Sequence, residues 1–415
     1  MLFLKMPRWG NDTENAVYAV GIVKRLPALF ALLLAASPAL GALFRAGVVY
    51  PQRVYRPDAL VIADFNGDGR NDVAAAEGEY CTSCRVLVFL QTAEGTLAEP
   101  LVFPGPGNAR AIRAGHFNDD GRLDLVVAAG RLFVLLQQPD GSFAAGKLVD
   151  EQRGAADFDT ADLNGDGRTD IVGMPWGSET MNVYEQQAGG TFVHREQAMT
   201  GYGYDDFELA DLNGDGRADA VNVSGQGVVG RLHVALAKPG GGFGEVMVVD
   251  LPWRDGFSGV ESGDFNGDSR VDLAVLPNAR SDEPFVGLVL QQPDGSFAAG
   301  PTLPAEEMPA SLLARDFDGD GDADLAATGA TARVGPTYRD DEYVVQVWLQ
   351  TAPGVFASQQ YALPDAQSNH SRYEHLAIGD VTGDGIRDLV VAMDRGALIV
   401  LAGREEPARR RSVRR

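Results

Sequence analysis

Histidine and cysteine are scarce: the 415 residues hold five of the first and two of the second. The histidines, at positions 116, 194, 233, 370 and 375, fall in separate repeats or loops and form no motif. Gly-x-Ser-x-Gly, His-Glu-x-x-His and the P-loop pattern are missing, so no nucleophile elbow, zinc site or phosphate cradle is written in one stretch. A catalytic site assembled from several loops is the form of enzyme this leaves. Basic residues are also few, 35 Lys and Arg against 58 Asp and Glu, for a net charge of −23. That balance argues against nucleic acid as a partner, because phosphate backbones are bound by Lys and Arg. Beyond residue 42 no stretch has the period of a long amphipathic helix.

The one strongly apolar run is residues 26–42, preceded by Lys24-Arg25 and ending in small residues. A positive flank, a short apolar core and a small-residue end read as a secretory signal, cleaved after Gly41 or Ala42. The run is short of the roughly 20 residues that span a membrane, so the mature chain is expected to carry no span. Residues 1–22 read as a preface from a start assigned too early, translation beginning near Val23; an uncleaved signal anchor is the alternative. Export favours a disulfide between Cys81 and Cys84 as a small loop staple. A redox pair is the other reading of Cys-Thr-Ser-Cys, but no βαβ pattern surrounds it.

Aspartate is what the chain has in place of these. Asp162-Leu-Asn164-Gly-Asp166-Gly-Arg-Thr-Asp170 sets oxygen-bearing side chains at positions 1, 3, 5 and 9 of one loop. Hard cations such as Ca²⁺ take six to eight oxygens at about 2.3–2.6 Å. The spacing begins like an EF-hand, but position 12 is Gly173 and Ile171-Val172 continues as a strand, so the loop is expected inside a β-hairpin.

The loop recurs, with candidate ligands Asp64, Asn66, Asp68 and Asp72; Asp211, Asn213, Asp215 and Asp219; Asp264, Asn266, Asp268 and Asp272; Asp316, Asp318, Asp320 and Asp324; and Asp380, Thr382, Asp384 and Asp388. A degraded copy starts at His116, a poor ligand for a hard cation, and keeps Asn118, Asp120 and Asp124 as a weak site. About five to seven Ca²⁺ are expected. The tail from Arg404 carries +4 and residues 1–41 carry +2, so the body between carries −29 of the total −23. Six Ca²⁺ would cut this to about −17.

Successive loops begin 46 to 64 residues apart, the period of a propeller or solenoid. A second element recurs between them. Gln137-Gln-Pro-Asp-Gly-Ser-Phe-Ala-Ala-Gly146 is repeated letter for letter at 291–300, with looser copies at 91, 187, 239 and 351. Asp-Gly or Gly-Gly between apolar runs is a hairpin turn. Each repeat therefore reads as four strands, such as A at 60–63, B at 124–129, C at 131–136 and D at 143–149. The expected fold is all-β, a seven-bladed propeller over residues 43–403 with the loops in the A–B hairpins. The last repeat lacks strand D, and residues 43–50 supply a spare one, so the N-terminal strand is expected to close the ring and remove its open edges. Residues 404–415 read as a basic disordered tail.

The Asp-x-Asn-Gly-Asp-Gly-x-x-Asp loop, followed by Leu-Val-Val-Ala and Asp-Gly-Ser-Phe, resembles the FG-GAP and VCBS-type repeats, relatives of the integrin α propeller. The likeness covers residues 43–403. It implies the fold and calcium, and it points to adhesion proteins, lectins and bacterial surface proteins. The integrin Phe-Gly and Gly-Ala-Pro cage is not recognisable, so integrin ligand binding does not carry over.

The expected function is an exported, non-catalytic recognition or adhesion module for a carbohydrate or surface protein. Its ligand would lie on the face opposite the loops, at Trp176, Tyr202, Tyr204, Trp253 and Arg254, where aromatics and a guanidinium suit recognition. A calcium-dependent polysaccharide enzyme such as a lyase, or a structural subunit of a surface assembly, are the competing readings.

Overall fold

The computed structural model describes residues 42–404, apart from 52–56, 79–83, 176, 200–205, 225–228, 254–255, 278–283, 306–307, 331–342, 364–375 and 394–396. The described strands form seven four-stranded sheets, I to VII, and all their pairings are antiparallel. Sheet I runs from strand A (Pro57–Ala63) through B (Asp72–Glu77) and C (Arg85–Phe89) to D (Leu101–Pro104). This is the arrangement of a seven-bladed β-propeller, with no helix among the described residues.

Burial follows position within the sheet. Asp124–Ala128 and Asp388–Met393, both strands B, are buried at every residue. They lie between two neighbouring sheets and so read as unbroken apolar runs rather than alternating ones. Strands D alternate instead, as Thr191–Ala198 does. The cores sit between sheets. Ile112, Val127 and Leu135 of sheet II pack with Ala74 and Val88 of sheet I, and Val223 and Val234 of sheet IV with Leu273 and Val275 of sheet V. Strand A of each sheet lies against strand A of the next, and Pro57–Ala63 of sheet I lies against Leu376–Gly379 of sheet VII.

Sheet VII takes its fourth strand from the other end of the described chain. Val48–Pro51 pairs with Ala397–Leu401, Val48 opposite Val400 and Pro51 opposite Ala397. The pairing continues through Arg45 N–H to Ala402 O at 2.8 Å and Arg404 N–H to Leu43 O at 2.9 Å. Leu43 and Phe44 are buried, Leu43 N–H donates to the Tyr361 hydroxyl of sheet VI at 2.7 Å, and the Phe44 ring meets Tyr361 edge-on.

One strand is shorter than expected. In sheet II, strand D is only Lys147–Leu148, with an isolated bridge from Gln137 to Phe143 before it. In sheet V the same ten residues open a strand of eight, Phe297–Pro304. The partner differs: strand C is Leu132–Leu135 in sheet II and Phe285–Gln291 in sheet V.

Candidate metal loops

Every acidic stretch forms the A–B connection of its sheet, and the seven are numbered here as loops 1 to 7 in chain order. In loop 3, Asp162 accepts three backbone hydrogen bonds, from Gly165 at 2.8 Å, Asp166 at 3.1 Å and Gly167 at 2.8 Å. The glycines at positions 4 and 6 adopt positive φ, +77° and +81°, which curls the backbone around that carboxylate. Asn164 accepts from Asp166 N–H at 2.9 Å, and Asp166 from Arg168 N–H at 2.9 Å. Loops 1 and 5 repeat the pattern, loop 5 with Ser269 held at φ +65° in place of glycine.

The ninth residue does something the spacing alone does not show. Asp72, Asp124, Asp170, Asp219, Asp272, Asp324 and Asp388 are all fully buried. One oxygen of each accepts the N–H of loop position 2: Phe65, Phe117, Leu163, Leu212, Phe265, Phe317 and Val381. The other accepts an N–H at or just past the end of strand C: Gln91, Gln137, Gln186, Ala237, Gln291, Gln350 and Gly403. The position-2 side chain is buried each time, so the loop is pinned by a core anchor and a carboxylate together. Burial raises the pKa of these acids, to about 6 for Asp170 and Asp272.

Where glutamine ends strand C, its amide ties the sheet to the preceding loop. Gln137 donates to Phe65 O at 2.6 Å, Gln291 to Leu212 O at 2.7 Å, Gln350 to Asp264 O at 2.9 Å and Gln91 to Asp380 O at 3.2 Å. Gln186, with its amide oriented by the surrounding network, donates to His116 O at 3.0 Å. The C–D turn beside it rests on the same loop: a Cβ on Gly190 would stand 2.8 Å from Phe117 O, so only glycine fits.

The loops differ in charge. In loops 1 to 5 the arginine at position 7 (Arg70, Arg122, Arg168, Arg217 and Arg270) pairs with the aspartate at position 5. Loop 6 has Asp322 at that place and loop 7 has Ile386. In loop 6 the ligand atoms of Asp316, Asp318 and Asp324 lie within 4.8 Å of one another, the only such group among the described residues. Burial first, then the charges of Asp318 and Asp320, push the Asp324 pKa up to about 8. Three carboxylates this close repel one another, and hard oxygen donors of this kind fit a divalent hard cation. Loop 2 goes the other way. His116 Nδ1 bonds Arg122 O at 2.9 Å, and Asp119 accepts Gly189 N–H from the next sheet at 2.7 Å.

A repeated acidic loop in an A–B hairpin, seven times around one propeller, can be compared directly with known repeats. The FG-GAP-like repeat model matches residues 64–127, 116–173, 162–222 and 211–275, together half of the chain. The chain belongs to the FG-GAP-like repeat family. Each match runs from one loop past the next, so the FG-GAP-like sequence unit is offset from the four-stranded sheet by one strand. No curated protein matches the chain.

Of the ligand residues expected away from the loops, Trp176, Tyr202, Tyr204 and Arg254 lie outside the described residues. Trp253 is described, and its ring is set into sheet V. It is half-buried, edge-on to Phe257 at 6.3 Å and tilted on Phe285 at 5.8 Å, above Gly287. Cys84 is disulfide-bonded; Cys81 lies outside the described residues. Among the described residues, Ser224 Oγ lies 2.8 Å from His233 Nε2 in the manner of a Ser–His dyad, but both are buried and burial drops the His233 pKa to about 4. This is a satisfied core histidine rather than an accessible base.

A second acidic array was not expected. Asp157, Asp159, Asp206, Glu208 and Glu261 stand on strands A of sheets III to V, with Arg113 and Arg315 at the flanks. Strands A are sheet edges, and four of these acids accept edge N–H groups of the next sheet, while Glu208 accepts the Ser262 hydroxyl at 2.8 Å. Asp157 takes Phe207 N–H at 3.1 Å, Asp159 takes Leu209 N–H at 3.1 Å, Asp206 takes Val260 N–H at 2.8 Å and Glu261 takes Ala314 N–H at 3.1 Å. The alternation Asp157-Phe-Asp159 and Asp206-Phe-Glu208 was the available signal, since charged residues at period 2 mark one face of a strand.

Proposed function

We propose that this is an exported, calcium-binding propeller that acts as a non-catalytic recognition module for a carbohydrate or a surface protein. The gathering of Asp316, Asp318 and Asp324 in loop 6 is the observation that carries the calcium reading. The same donors at positions 1, 3, 5 and 9 extend it to loops 1, 3, 4, 5 and 7, while the His116 imidazole leaves loop 2 without metal. In each occupied loop the aspartates at positions 1, 5 and 9 and the residue at position 3 would hold the ion. The ion would neutralise the carboxylates gathered in one loop and stiffen the hairpin.

Recognition is supported by the fold, because connecting segments on a rigid propeller are where binding residues are usually carried. The N-terminal Lys24-Arg25 and the apolar run after it support export. We place the ligand on the side away from the loops, at Trp176, Tyr202, Tyr204, Trp253 and Arg254. The test is a glycan array and a panel of immobilised surface proteins, probed with the mature chain and with a Tyr204→Ala/Arg254→Ala variant. The reading expects a ligand whose binding falls at least tenfold in the variant. Full retention of binding would place the site elsewhere. Incubation with uronate polysaccharides should give no unsaturated product; its appearance would favour a lyase.

A further inference from the structure

The N–H group that reaches the ninth-position aspartate puts the seven sheets in register. The residue just before that N–H is Leu90, Leu136, Leu236, Leu290 and Leu349 in sheets I, II, IV, V and VI, and Ala402 in sheet VII. Sheet III alone places an acid there, Glu185. Its side chain is only 7 % exposed. One oxygen, Oε2, pairs with Arg195 Nη2 at 2.9 Å, while Oε1 is buried with no hydrogen-bond partner.

That oxygen lies beside the same turn as loop 3. A Cβ built on Gly241, in the C–D turn of sheet IV, would stand 3.2 Å from Glu185 Oε1 and 3.5 Å from Asn164 Cβ. The carboxylate and the third residue of the loop therefore flank the same glycine. The turn is Gly240-Gly241-Gly242, all three at positive φ, so the backbone comes close with no side chain between. The charge of Glu185 also reaches Asp170, the ninth residue of that loop. A buried carboxylate oxygen without a donor is costly, and a hard cation is the partner that the oxygen-bearing side chains of loop 3 already suit.

We propose that Glu185 is an additional oxygen ligand, supplied from strand C, for a divalent cation at loop 3. The inference rests on the calcium reading of the loops. Arg195 holds one oxygen and leaves the other for the ion, and the extra charge makes loop 3 a tighter site than its nine-residue pattern implies. Glu185→Gln keeps the shape and removes the charge, and Glu185→Leu installs the residue found in five other sheets.

The experiment is a calcium titration of the full mature chain against a chromophoric chelator, with a melt in EDTA to compare the folds. Wild type, Glu185→Gln, Glu185→Leu, Asp166→Ala and the double Glu185→Gln/Asp166→Ala variant are measured. Both Glu185 variants should weaken one calcium equivalent by about tenfold or more. The double variant should bind no more weakly than Asp166→Ala alone, because both changes act on one ion. If Asp166→Ala loses an equivalent while both Glu185 variants titrate as wild type, the ligand role is overturned and the calcium reading stands. If wild type takes up no calcium, the calcium reading falls and this inference with it.

Discussion

Asp124 and Asp219 each accept two buried backbone N–H groups, yet they belong to loops of unequal promise as metal sites. Truncating either strands both donors, at about 1–3 kcal/mol apiece. Asp124→Ala should therefore cost about 2–6 kcal/mol in denaturant titrations, equally in calcium and in EDTA. A cost seen only with calcium would assign Asp124 to a metal instead. Ser269 sits at φ +65°, where the other full loops have glycine, and Ser269→Gly should stabilise the chain by about 0.5–1 kcal/mol in the same assay. The strand-A acids give a pH dependence. Burial pushes Glu261 up to about 7 and raises Glu208 and Asp206 well above the usual carboxylate range, each also facing neighbouring acids. An acid whose folded pKa is raised favours the fold while protonated. Its contribution is complete below the unfolded pKa and is lost as pH rises through the folded one. Melting temperature in EDTA should thus fall between about pH 4.5 and 7, and less steeply in Glu261→Gln. An identical profile for the variant would remove Glu261 from the cause.

Residues 137–146 and 291–300 are the same ten letters, and they do not make the same element. The turn is local and identical, but strand D forms only where strand C is long enough to pair with it, and that length is set outside the repeat. For the same reason the A–B loops were legible as a pattern while their wiring was not. The spacing of Asp162, Asn164, Asp166 and Asp170 marks the loop, but the link from Gln291 to Leu212 O joins residues 79 positions apart and leaves no local signature. The spare strand was legible because a deficit at one end matched a surplus at the other. Val48–Pro51 pairs with Ala397–Leu401, and Phe44 is buried against sheet VI. Deleting residues 42–50 should expose the edge of Ala397–Leu401 and produce aggregation on size-exclusion chromatography. A monomeric truncation of unchanged stability would show that this strand is dispensable.

Across the whole molecule the acids fall into two sets with different partners. Those on strands A of sheets III to V are met by edge N–H groups and by Arg113 and Arg315. Those in the loops are met by turn N–H groups and, in loops 1 to 5, by the arginine at position 7; loop 6 has five aspartates and no arginine at that position, and Arg387 of loop 7 pairs with its Asp316 at 3.4 Å. Calcium is the counter-charge that this account assigns to the second set. A binding site on the other face was the least legible part, because an aromatic in a connecting segment can serve a ligand, pack on a sheet or do both, and Trp253 is half-buried against Phe257 and Phe285. The most direct measurement is the number of calcium ions retained per chain by the purified mature protein, by elemental analysis after dialysis against calcium-free buffer. Several ions per chain are expected, approaching one for each loop other than loop 2. A chain that retains none, and whose melting temperature is the same in calcium and in EDTA, would contradict this.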